Sequence, residues 1–149
     1  MALKIWPVAY GKILSAEQLS YMLDLFYSPA SLRKQMDQLK HSFLIAENED
    51  GIPVGFSSFS AHQENQTTFH LHKLYVLPDN QKSHIGQQLL EATSSAVKSL
   101  HGRYLHLNVN RSNAAINFYL KMGFIIIREE DNDIGHGFFM NDYVMEKKL

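Results

Sequence analysis

The hydrophobic period of this chain changes at His41, and that change narrows the folds open to it. Ahead of it, apolar residues recur at helical spacing. Ser15 reads as an N-cap with Gln18 in the capping-box position, and Leu19, Met22, Leu23 and Phe26 follow on one stripe. A second helix starts near Pro29 and carries Leu32, Met36 and Leu39 on one face. After His41 the pattern becomes strand-like. Ser42–Glu47, Val54–Ala61 and Thr67–Leu77 read as strands, parted by Glu49-Asp50-Gly51 and by the polar run His62–Gln66. Connections this short favour antiparallel hairpins, so a meander is expected here.

The flanks complete the pattern. Leu3–Ala9 reads as a short first strand. Beyond Pro78, the residues Ile85, Leu89, Ala92, Ala96 and Leu100 form an amphipathic helical stripe that His101-Gly102 ends. Tyr104–Val109 is the next strand. Ser112 is placed to cap a further helix holding Ile116, Tyr119 and Leu120, with Gly123 where a left-handed cap belongs. Strands near Phe124–Arg128 and Phe138–Lys147 finish the chain. The order β-α-α-β-β-β-α-β-α-β-β predicts one α/β domain over residues 1–149, with a mixed, mostly antiparallel sheet of about six or seven strands and four helices.

With 149 residues, 45% of them hydrophobic, the chain suits a single core. No run of 18 apolar residues is present, so no membrane-spanning helix is expected. The N-terminal residues lack a basic segment followed by a long apolar run; a cytoplasmic location is the expectation. The absence of cysteine removes disulfides, zinc–thiolate sites and thiol nucleophiles together. A net charge of −1 offers no broad basic field for nucleic acid.

One loop has the makings of an anion site. Leu74-Tyr75-Val76 ends a strand, and Gln81-Lys82-Ser83-His84-Ile85-Gly86 opens a helix. The first N–H groups of a helix lack intrahelical acceptors and sit at the positive end of its dipole, so a phosphate docked there meets several donors. Gly86 lets backbone approach closely, and Lys82 adds a mobile charge. Many strand–loop–helix joints bind nothing, and the spacing alone leaves a plain connector open.

The segment resembles the GCN5-related N-acetyltransferase (GNAT) family, whose pattern is an apolar-aromatic-apolar strand end and then Gln/Arg-x-x-Gly-x-Gly/Ala at a helix start. His84 stands where the first glycine usually does; a positive φ there would be strained but tolerable for histidine. A second stretch, Asn110–Phe124, is similar to the family's Asn-x-x-Ala-Ile-x-Phe-Tyr-x-x-x-Gly-Phe segment. Ser112 occupies the usual Asn position and Asn113 follows it, so either is a candidate for the polar contact with the coenzyme. Together the two motifs span roughly residues 69 to 124.

The resemblance implies acetyl-CoA as co-substrate and a GNAT-like domain. Backbone groups of Leu74, Tyr75 and Val76 would pair with the pantetheine arm as an added strand, and a free N–H near Val76 would polarise the thioester carbonyl. Gln81, Lys82, Ser83, His84, Ile85, Gly86 and Gln87 would surround the pyrophosphate. Tyr119 would face the sulfur and protonate it as it leaves.

An alkyl ammonium of pKa ~10.4 must lose a proton before it attacks. Without cysteine, direct attack in a ternary complex is the economical mechanism, although a Ser-bound intermediate stays open. The family often uses a Glu on the central strands as base, and Phe69-His70-Leu71-His72-Lys73 has no carboxylate. His72, sharing a strand face with His70, is the candidate base; a solvated strand face and a metal pair are the competing readings. His-x-His suits Zn²⁺ or Ni²⁺, yet no third ligand is evident, and no metal is expected.

The acceptor would lie against the first helices and last hairpin, among Tyr10, Glu17, Tyr21, Asp24, Tyr27, Phe138, Phe139, Asp142 and Tyr143. Aromatics with carboxylates suit a cationic amine, although a core of aromatics with solvated acids has the same composition. The tail Gly137–Met145 resembles bacterial family members that acetylate polyamines, so a small amine or polyamine is expected. The alternatives are a protein N-terminal or lysine acetyltransferase, and a non-catalytic acyl-CoA-binding or regulatory domain. Family members acting on protein N-termini tend to carry Glu where this chain has Leu107. Small domains of this family commonly pair, so a homodimer is a further expectation.

Overall fold

A computed structural model describes residues 1–81 and 83–149. Three helices lead the chain: α1 (Ala2–Tyr10), α2 (Ala16–Tyr27) and α3 (Pro29–Asp37). The Ser15 hydroxyl accepts the Gln18 N–H at the start of α2, as the capping pattern requires. The meander follows as β1 (Ser42–Glu47), β2 (Pro53–Ala61) and β3 (Thr68–Val76). Next come α4 (Ile85–Ser99), β4 (Tyr104–Asn110), α5 (Ala115–Lys121), β5 (Ile125–Gly135) and β6 (Phe138–Lys148).

The first element is a helix, not the strand expected over Leu3–Ala9. Its buried residues are Ala2, Ile5 and Trp6, spaced as one helical face, while Leu3 and Val8 are 74% and 63% exposed. A strand would have put Leu3 and Ile5 on the same side. Among the described residues five α-helices therefore accompany the sheet, rather than four.

The six strands lie in the order β1-β2-β3-β4-β6-β5, and β3–β4 is the one parallel pair in this sheet. One sheet face packs Phe59, Leu71, Leu105, Leu107 and Met145 against Leu90 and Val97 of α4 and against Phe124. The buried Ser57 and Thr93 hydroxyls meet at 2.8 Å, joining β2 to α4, while the Ser94 hydroxyl of α4 has no partner. The opposite face packs Tyr75 and Met140 against Trp6 of α1 and Met22 of α2.

Candidate active site

A single extra residue in β3 creates the site. Ser58 faces Lys73 across the β2–β3 ladder, but the next residue, Phe59, faces Leu71, which leaves His72 as a β-bulge. Phe69 and Leu71 join the α4-side core ahead of the bulge, and Leu74 packs there after it. Tyr75 accordingly faces the helices α1 and α2. The parallel pairing of β3 with β4 stops at the same place, at Leu71 opposite Leu107. Past that point β4 stays with β6 through Asn110 and β3 stays with β2, so the two central strands part like a wedge.

The wedge is a cleft of about 470 Å³ at the carboxyl ends of the parallel strands, where open α/β sheets bind ligands. Leu77 N–H donates to Val54 O, so the antiparallel alternation turns the backbone groups of Val76 and Leu74 away from β2 and toward the cleft. Tyr75, Val76, Gln81, Gly86, Asn113 and Tyr119 line it. A Cβ built on Gly86 would approach Phe118 and Val76 at 3.8 Å, narrowing the mouth.

His84 sits before the first turn of α4 with φ 57°, the left-handed conformation that its motif position requires. His84 and Ser83 are exposed, Ile85 and Gln87 partly so, and these four form the loop end and first turn beyond the cleft wall. Lys82 lies outside the described residues. Ser112 is exposed, does not line the cleft and does not cap α5, which begins only at Ala115. Asn113 takes the local role instead, accepting the Ala115 N–H at 2.9 Å while lining the cleft.

A second cavity of about 640 Å³ lies on the helix α1–α3 side and shares Tyr10, His72, Lys73, Tyr75 and Asn108 with the cleft. Of the acceptor-side residues expected from sequence, Tyr10, Tyr27, Phe139 and Asp142 line it. Glu17 and Asp24 are exposed and outside it, Tyr21 bonds the Ile134 carbonyl, Phe138 packs on Tyr21, and Tyr143 packs on the opposite sheet face.

At the junction the Tyr10 and Tyr75 hydroxyls lie 3.1 Å apart. Burial raises the pKa of Tyr10, Tyr75 and Tyr119, with the neighbouring Tyr10 adding to the rise at Tyr119. These phenols therefore stay protonated. His72 Nε2 pairs with Ser60 Oγ at 2.8 Å, and its ring stacks on His41 at 3.8 Å, beside His70 at 4.7 Å. Burial pushes His41 and His70 down to about 4, and His72 further still with help from the positive ends of His70, His41 and Lys73. Among the described residues no group of three or more His, Asp or Glu is arranged to hold a metal ion.

Two charged side chains in this cavity are buried without a counter-ion. Asp142 is 2% exposed, its Oδ2 has no hydrogen-bond partner, and burial raises it to about 6 against the opposing contact from Asn108. Lys73, 7% exposed and lowered by burial to about 8, donates to Gln35 Oε1 at 2.5 Å and lies near the Tyr27 and Phe43 rings. Asp142 stood out in the sequence; Lys73 and Gln35 did not. A lysine inside an otherwise apolar strand end was the available sign for Lys73, since such residues are almost never fully buried unless paired.

The sequence profile of the acetyltransferase (GNAT) domain matches residues 12–147. The chain belongs to the GNAT acetyltransferase family. It is an acyltransferase whose co-substrate, as for that family, is acetyl-CoA, and the wedge between β3 and β4 with its free strand edge fits such a molecule. Among solved structures, the PaiA N-acetyltransferase of Thermoplasma acidophilum in complex with coenzyme A is 27% identical. That alignment covers 99% of this chain and 88% of that one, with a TM-score of 0.80. A GCN5-related N-acetyltransferase of Rhodopseudomonas palustris shares the fold at 22% identity and a TM-score of 0.79, over 99% of this chain and 84% of that one. Ard1 of Thermoplasma volcanium does so at 21% and 0.67, over 99% and 90%. No curated protein matches the sequence. Among the described residues, no helix of this GNAT domain is long and apolar enough to cross a membrane.

Proposed function

We propose that this GNAT enzyme acetylates a small primary amine by direct attack in a ternary complex. The carrying observation is the meeting of the two cavities at Tyr10, His72, Tyr75 and Asn108, one with a free strand edge and the other with a buried carboxylate. Coenzyme enters by the wedge, and the backbone of Leu74 and Val76 holds the pantetheine as a strand would. The loop of Gln81 to Gln87 and the start of α4 receive the pyrophosphate. Asn113, rather than Ser112, makes the polar contact from the second motif.

Tyr119 gives its proton to the departing thiolate. Burial keeps this phenol protonated, so its proton is present when the thiolate forms; the same burial makes it a weak donor, so its role rests on its position in the cleft. Two groups compete for the base. His72 touches both cavities, but its depressed basicity makes it a weak proton acceptor, and its better use is to hold Ser60 and shape the wall. Asp142, raised to about 6, pairs with the incoming ammonium and accepts its proton.

The test is free-thiol release from acetyl-CoA over a panel of primary amines, with Tyr119→Phe and Asp142→Asn alongside. Turnover that falls in both variants supports the scheme. Tight coenzyme binding with no thiol release on any amine would replace it with a non-catalytic acyl-CoA sensor.

A further inference from the structure

The acceptor cavity carries one buried charge of each sign, and this restricts the amine. On β6, Asp142 presents an oxygen with no partner. On β3, Lys73 spends one donor on Gln35, whose own amide is committed to the Phe26 carbonyl and the Ser31 hydroxyl. Among the described residues no carboxylate lies within ion-pair reach of Lys73. The two charges come from strands on opposite sides of β4, so they do not neutralise each other. Buried charges persist where something completes them.

We infer that the acceptor is a zwitterion: a small primary amine whose ammonium meets Asp142 and whose acidic group, a carboxylate or phosphonate-type anion, meets Lys73. The inference rests on the amine-acetylation reading above and deepens it. Around Lys73 the wall carries groups that an anion can meet, beside the Tyr27 and Phe43 rings that the ammonium already lies against. His41 and His72 bring neutral imidazoles, Gln35 fixes the ammonium, and Lys34 adds a second cation at the rim. Asp142 is the one carboxylate among the described residues lining the cavity. A polyamine placed with one nitrogen at Asp142 would carry its next cations toward Lys73 and Lys34 with no carboxylate to receive them, so this wall selects against it. A bound acidic group supplies the counter-charge that the protein itself withholds.

Chain-matched probes separate the possibilities. Thiol release is measured with γ-aminobutyrate, δ-aminovalerate and aminoethylphosphonate, against propylamine, butylamine, putrescine and cadaverine. The expected result is a kcat/KM for the acidic amines about ten- to a hundred-fold above their neutral and dicationic counterparts, the usual worth of a charge-assisted hydrogen bond. Lys73→Met should erase that ratio by raising KM for the acidic amines alone, whereas a merely structural lysine would lower kcat/KM for all of them alike. A wild-type preference for diamines or plain alkylamines overturns the inference. Butyrate gives a readout independent of the variant's folding: it should compete with the amine and not with acetyl-CoA, and failure to compete counts against the anion site. Silence from every amine overturns amine acetylation itself. Calorimetric titration of γ-aminobutyrate into the protein with coenzyme A then decides the cavity: binding upholds the zwitterion site, and no binding removes it.

Discussion

The two faces of the sheet are built on opposite rules. On the α4 side, apolar residues close over neutral hydroxyls, with those of Ser57 and Thr93 paired and that of Ser94 without a partner. On the α1–α3 side, burial is nearly as complete at Lys73 and Asp142, yet neither charge is answered. The first face stabilises the domain; the second leaves interactions for a ligand to complete. That contrast is open to attack by substitution.

The largest effect should come from the dry face. Leu105→Ala, at a fully buried position, is expected to cost about 3–5 kcal/mol in urea unfolding. Lys73→Met, on the other face, should change stability by less than about 1 kcal/mol, because a buried unpaired cation contributes little to hold the fold. Equal losses at the two positions would erase the distinction between the faces.

Tyr119→Phe comes next. Its kcat should fall about 10²–10⁴-fold, the usual contribution of a positioned acid, with the KM for acetyl-CoA nearly unchanged. A stopped assay at saturating amine checks it.

The pH dependence sharpens the comparison further. Asp142 should give kcat/KM an acid limb near pH 6 that disappears in Asp142→Asn. Its folded pKa lies above 3.8, so its contribution to stability is present below 3.8 and lost as pH rises through about 6. The histidines run the other way. His41 and His70 have folded pKa values of about 4 against 6.5, so their contribution is present above 6.5 and lost as pH falls through 4. Three depressed imidazoles outweigh one carboxylate, and Tm should drop as pH falls across that window. A paired His41→Gln, His72→Gln variant should flatten the drop.

The smallest effect belongs to the loop ahead of α4. His84→Gly removes a side chain from a left-handed backbone position and should raise stability by about 1 kcal/mol, read as a small rise in Tm.

Most of the fold was legible because its determinants are local. The capping Ser15, the alternation in β1 to β3 and the stripe on α4 each sit in a short stretch of chain. The N-terminal segment was misread because Leu3, Ile5, Pro7 and Ala9 alternate plausibly, and only tertiary packing of Ile5 and Trp6 selects the helix. Ser112 looked like a cap until Asn113 bonded Ala115. In the site, the resemblance of two short motifs to a family, rather than spacing, singled out Leu74 to Val76 and Tyr119, which line the cleft. The solitary charge of Lys73 was not legible, since being unpaired is a property of the neighbours rather than of the residue.

The surplus residue in β3 also acts as a phase shifter. Flattening the bulge with His72 kept in the ladder would rotate Tyr75 into the hydrocarbon layer under α4 and turn Leu74 toward the α1–α3 side, whereas deleting His72 would leave both where they are. Because the slip separates the two halves of the strand, positions 70, 72 and 73 can diverge while 74 to 76 keep their free edge along the cleft.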